Sequence, residues 1–177
     1  MNLQRPLLLC TLALAGLAAA QSADPQNAAK TVRLNDPALP FEISLPVGWV
    51  GVKFGDALQG INIASAPKAP AALMRFNFIP KKGQTLDLPT EFSAFENAVR
   101  QGGGTLTLLS SAAARYGGVG GLMRAYDLTQ AGTRLRLHIW FGNGNKNFYN
   151  FQFTDQLGTF AQRLPTFDAA LRSVQFR

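Results

Sequence analysis

A single histidine, His138, limits the reaction chemistry open to this 177-residue chain. A Ser-His-acid triad would need it as the base. It sits instead in the middle of Thr133 to Phe141, a run that alternates like a β-strand, and the chain has no Gly-x-Ser-x-Gly elbow to present a nucleophile. A metal site needs several His, Cys or carboxylate ligands within reach. The one cysteine is Cys10, and the ten acidic residues follow no EF-hand spacing. Glu91 and Glu96 could be offered as a glycosidase pair, but their place in a helical pattern reads better as surface charge. Gly117-Gly118-Val119-Gly120-Gly121 looks like a phosphate loop until its context is read. It lacks the Lys-Ser/Thr step and precedes a strand, whereas phosphate cradles precede helices. These glycines therefore mark a turn. The residues imply no enzyme, no metal and no cofactor.

The cluster best suited to binding is Arg134, Arg136, His138 and Trp140, which alternate onto one face of a strand. Arg75, with Asn77, is expected beside it. Two guanidinium groups and an aromatic ring could hold an anionic ligand or an acidic partner surface. The plainer reading is a solvated face, with Asp127 neutralising one arginine across an even-length hairpin. Interleaved basic and aromatic residues also suit single-stranded nucleic acid, a partner that an exported protein does not ordinarily meet. Trp49 and the phenylalanine clusters read as core.

Export is the expectation from residues 1–20. Arg5 gives a positive start, Pro6 to Leu17 an apolar run, and Ala18-Ala19-Ala20 a small-residue cleavage pattern. The run is too short for a membrane span of about 20 residues, and no transmembrane segment is expected in the mature chain. Cys10 does not close the apolar run and follows Leu9, which argues against lipidation. Cleavage would remove Cys10 and would lower the formal net charge from +7 to +6 through the loss of Arg5. A basic balance in a periplasmic or extracellular protein suits acidic partners or surfaces. Residues 21–30 read as a flexible leader, and residues 31–177 as one domain.

Within that domain, period-two patterns mark strands at Phe41 to Leu45, Gly60 to Ala64, Ala72 to Ile79, Thr105 to Leu109, Leu122 to Leu128, Thr133 to Phe141 and Phe148 to Thr154. A further extended piece begins at Trp49. Helical spacing appears at Leu88 to Gln101, with Thr90 as N-cap, and at Pro165 to Val174, with Pro165 in the first turn. Strands dominate and helices follow runs of strands, which predicts an α+β fold with a central antiparallel β-sheet flanked by helices. A three-residue loop, Asn143-Gly144-Asn145, would bring Leu135, Leu137, Ile139 and Phe141 onto the same face as Tyr149, Phe151 and Phe153, and it is the favoured register. A two-residue turn would instead send those aromatics to the arginine face and would require both sheet faces to be covered.

Phe41-Glu42-Ile43-Ser44-Leu45-Pro46-Val47-Gly48-Trp49 resembles the strand, Pro, Gly-Trp opening of PsbP-like domains. That family takes in photosystem II extrinsic proteins, bacterial envelope proteins of the DcrB type and, by fold, the yeast import factor that binds the Ran GTPase. Gly120-Gly121 before Leu122-Met123-Arg124-Ala125-Tyr126, a hairpin, the aromatic strand Phe148 to Phe153 and a closing helix are similar too. The resemblance spans about residues 31 to 177. It implies an α/β/α sandwich in a non-enzymatic binding or assembly role, with an envelope protein or other envelope component as partner. The alternative is a binder of an anionic polymer, a lipid or another small ligand, and a hydrolase ranks last. The photosystem role does not carry over, because the metal-binding histidines and basic N-terminal segments used there are missing.

Overall fold

The computed structural model describes residues 30–54 and 58–177, so the expected signal peptide and nearly all of the leader lie outside the described residues. A seven-stranded antiparallel sheet forms the body. Its order is β3 (Val50–Gly51), β4 (Gln59–Ala64), β5 (Leu73–Pro80), β9 (Asn147–Gln156), β8 (Thr133–Asn143), β7 (Val119–Gln130) and β6 (Thr105–Tyr116). The chain leaves β5, crosses one face as helix α1 (Leu88–Gln101), and returns through the β6 to β9 meander, so that β9 settles beside β5. Helix α2 (Leu157–Arg172) follows β9 directly on the other face. A three-stranded sheet of β1 (Thr31–Leu34), β2 (Phe41–Pro46) and β10 (Gln175–Phe176) completes that second layer. The α+β expectation stands in this form. The flanking is looser than two helical layers, since α2 shares its face with the small sheet.

Tight turns set the meander. Gly117-Gly118 joins β6 to β7 and Ala131-Gly132 joins β7 to β8, each pair with two positive φ angles. That conformation matches the twist of the flanking strands. The glycine run is thus a hairpin turn.

The favoured three-residue loop after Phe141 is wrong. Asn143 pairs with Phe148 across a four-residue connection, which sets Ile139 opposite Gln152 and Trp140 opposite Phe151. This even-length loop gives the faces of the shorter alternative, and its condition holds as well: both sheet faces are covered. Phe92, Phe95 and Val99 of α1 pack on Tyr126, Leu128, Leu137, Ile139 and Phe141. On the reverse face, Phe160 and Phe167 of α2, with Phe41 and Ile43 of β2, pack on Met74, Phe76, Trp140, Phe151 and Phe153. Strand β9 is buried along nearly its whole length, so apolarity could not choose its register.

The α1 cap and the α2 start need correction. The α1 cap is Asp87, whose carboxylate accepts from the Thr90 backbone N–H at 3.1 Å and from its hydroxyl at 2.7 Å. Helix α2 begins eight residues before Pro165, which lies inside it. There the proline is exposed, so the ring and the missing N–H face away from the core.

Candidate functional site

Strand β8 does carry Arg134, Arg136, His138 and Trp140 on one face, but that face lies under α2 and the small sheet. Trp140 is fully buried; its Nε1 donates to the Ala114 carbonyl at 3.3 Å, and its ring meets Tyr116 and Phe151. His138 lies against Phe167 with centroids 6.4 Å apart, and its buried Nδ1 has no hydrogen-bond partner among the described residues. Burial lowers the pKa of this imidazole, and the nearby Asp168 carboxylate offsets part of that. Arg136 donates through Nε and Nη2 to the two oxygens of Asp127 at 2.7 and 3.2 Å, the cross-hairpin neutralisation expected of a plain strand face. That bond holds the Asp127 carboxyl below its usual range. Arg134 is the exposed member. Arg75 does not join them. It pairs with Gln152 and so stands on the opposite face of the sheet, toward α1.

The carboxylates are largely committed to structure. Glu96 accepts from Arg124 at 3.0 Å and from the Tyr126 hydroxyl at 2.7 Å, while burial raises the pKa of that phenol. Asp155 is held by Arg163, by the Thr159 hydroxyl and by the Gln156 backbone N–H. Glu42 sits between Arg33 and Arg177. Among the described residues, no three His, Cys, Asp or Glu side chains group closely enough to hold a metal ion.

A pocket of about 220 Å³ opens at one end of the sheet on the α1 side. The segment leaving β3 supplies Val52 and Phe54, β8 supplies Leu135, and the row Ala64, Leu73 and Thr154 forms the floor. The outer wall is the β4–β5 loop. Within it, residues 66–71 are closed by Ser65 N–H to Ala72 O and by Ala72 N–H to the Ser65 hydroxyl, both 2.9 Å. Lys68 is exposed on that loop. At the inner end, the Arg75 guanidinium lies 4.1 Å from the centroid of the Phe54 ring. Arg75 is only 5 % exposed. A second, much smaller cavity shares Leu73, Arg75 and Thr154 with the first and continues beneath Phe95 and Val99 of α1.

Behind Arg75 the sheet face is polar. Successive rows on β4, β5 and β9 read Asn62, Arg75, Gln152 and then Gly60, Asn77, Asn150. Asn77 and Asn150 are each 1 % exposed. The Gln152 amide donates to Asn150 Oδ1 at 2.7 Å. Asn62 Oδ1, Asn150 Nδ2 and both polar atoms of the Asn77 side chain are buried with no hydrogen-bond partner among the described residues. Sequence reading singled out Arg75 and Asn77, yet missed this site. The Ala-Pro-rich wall carries no chemical signature, and the β9 amides look solvent-facing until both sheet faces are known to be covered.

No family model and no curated protein matches the sequence. Solved structures do match in fold. Cyanobacterial PsbP (CyanoP) from Synechocystis sp. PCC 6803 superposes with a TM-score of 0.61 at 14% identity, over 89% of this chain and 98% of that one. LpqN, involved in cell envelope biogenesis of Mycobacterium tuberculosis, gives 0.59 at 9% identity, over 82% and 90% of the two chains. PA94 from Pseudomonas aeruginosa, a protein of unknown function, gives 0.56 at 11% identity, over 83% and 97%. At such identities the likeness concerns backbone architecture alone, and that architecture is the PsbP-like fold.

Proposed function

We propose that this chain is an exported, non-catalytic binding module of the cell envelope, and that the pocket between Val52, Phe54 and the β4–β5 loop holds a small amphipathic ligand. The pocket itself carries this reading. It is concave, walled mainly by apolar side chains, and ended by a buried cation stacked on an aromatic ring, which is how small-molecule sites are commonly built. The commitment of Glu42, Glu96, Asp127 and Asp155 to arginine pairs supports binding rather than acid-base chemistry. Fold likeness to an envelope-biogenesis protein agrees with the compartment. Titration with the uncharged fluorescent probe N-phenyl-1-naphthylamine tests the site. Wild type should bind it with saturation, and Ala71→Trp, which fills the mouth, should weaken binding by about tenfold or more at an unchanged Tm. Equal binding by the two proteins would remove the pocket as the seat.

Assembly through protein contact is the second reading, and strand β6 favours it. It is a twelve-residue edge strand whose first charged residue is Arg115, and Leu108 and Leu109 on it are 49% and 46% exposed. Charge-free edges of this length invite another strand. The occupant we name is a second copy. Antiparallel pairing about Ala112 would hold the two Arg115 side chains about 20 Å apart, so like charges would not oppose. Light scattering at rising concentration should show a dimer that Ala112→Lys abolishes. A monomer throughout would dispose of this reading.

A further inference from the structure

Residues 66–71, the outer wall of the pocket, are alanine or proline at every position but one, Lys68. Pro67 fixes its own φ and Pro70 restricts Ala69, so the lysine stands on a short, stiff arch. The two bonds between Ser65 and Ala72 tie the ends of that arch together. Lys68 is exposed, and the ion pairs among the described residues all use arginine, so it takes part in none of them. The other charged residues of the lining are engaged. Arg75 lies over Phe54 at the inner end, and Asp155 is held by Thr159 and Arg163 of α2. Beyond Arg75, the cavity under α1 holds only about 20 Å³, room for about one water molecule. An amphiphile must therefore enter chain first and leave its head at the mouth.

We infer that the ligand is a single-chain anionic amphiphile, with its apolar chain among Phe54, Leu73 and Leu135 and its acidic head on the Lys68 ammonium. The inference rests on the pocket being the ligand seat. At about 220 Å³ the space falls below the roughly 300–1,000 Å³ of drug-sized sites, which suits one short chain. Burial of that chain supplies most of the affinity. Lys68 supplies the choice of head. It attracts an anion, repels an ammonium and gives an uncharged hydroxyl no comparable gain. A lysine is a compact charge on a flexible stem, so it reads the charge of the head rather than its shape.

Calorimetry on the mature chain at low salt tests this with decanoate, 1-decanol and decyltrimethylammonium, and with acetate as an anion lacking the chain. Wild type should bind decanoate about fivefold or more tighter than the ammonium probe. Lys68→Gln should weaken decanoate binding by about three- to fivefold, the upper range of an exposed ion pair, and leave decanol unchanged. Lys146→Gln removes the same charge just before Asn147, at the far end of β9 from Thr154, and should alter neither. Acetate should not displace decanoate. Equal affinity for decanoate and the ammonium probe overturns the inference while leaving the pocket as a seat for chains. An equal loss in the two lysine variants does the same, because net charge would then be the cause. Displacement by acetate overturns it as well, since the chain would then be irrelevant. If no decyl probe binds, the inference and the pocket reading fall together.

Discussion

The α1 side of the large sheet is built in two ways. Over β7 and β8 the strands present Tyr126, Leu128, Leu137, Ile139 and Phe141, and α1 answers with Phe92, Phe95 and Val99. Phe92 stacks on Phe141 at a centroid distance of 4.1 Å, and polar edges there are tied off by the Glu96, Arg124 and Tyr126 group. Over β5 and β9 the same rows present Arg75, Asn77, Asn150 and Gln152, equally buried, and there Asn77 and the Asn150 Nδ2 have no hydrogen-bond partner among the described residues. One backbone ladder runs through both halves, so the difference is entirely one of side chains. Stability accounts for the first half. In the second, the unpartnered amides of Asn77 and Asn150 give stability up.

The largest effect should come from breaking the apolar half. Phe92→Ala removes a fully buried ring from between α1 and the sheet, and denaturant titration should show a loss of about 3–5 kcal/mol. The amide half should respond far less. Asn150→Leu forfeits the hydrogen bond from Gln152 but removes an orphaned donor, so its stability should change by no more than about 1 kcal/mol either way. A loss comparable to that of Phe92→Ala would mean that the two halves do the same work, and the contrast would collapse.

The apolar half was also the legible one. Alternation located most strands within a few residues, and Leu88 to Gln101 matched α1 because its apolar spacing and its glycine stop agree. Capping was misread because Thr90 and Asp87 are both good caps, and the aspartate sits earlier. Pro165 suggested a helix start since proline favours the first turn, yet on the exposed side of α2 it is tolerated. Strand β6 runs on from Leu109 to Tyr116 through Ser-Ser-Ala-Ala-Ala, residues of weak strand preference that β7 pairs into the ladder. The site stayed hidden for a deeper reason. Alternation assigns residues to faces without saying which faces are covered, so Asn150 and Gln152 read as surface, and Arg75 was placed with arginines that lie on the other side of the sheet.

The smallest effect concerns a third orphan, and it separates two kinds of buried polar group. His138, half-buried under α2, also has an enclosed ring nitrogen without a partner among the described residues, and unlike an amide it can take a proton. Its folded-state pKa lies below the unfolded value near 6.5, because burial penalises the imidazolium. The neutral ring is thus favoured in the native state, and the unfolded chain binds the extra proton first. Stability on this account is fully present above about pH 6.5 and falls as the pH drops from there through the folded pKa. Replacing His138 by Gln should flatten Tm between pH 7 and pH 5.5, a window above the range in which Asp127 and Glu42, both lowered by their arginines, titrate. Asn77→Leu should instead displace the whole curve upward without changing its slope, since an amide does not ionise in the window. If His138→Gln keeps the wild-type slope, the imidazole is not held neutral by burial, and its likeness to the amide orphans fails.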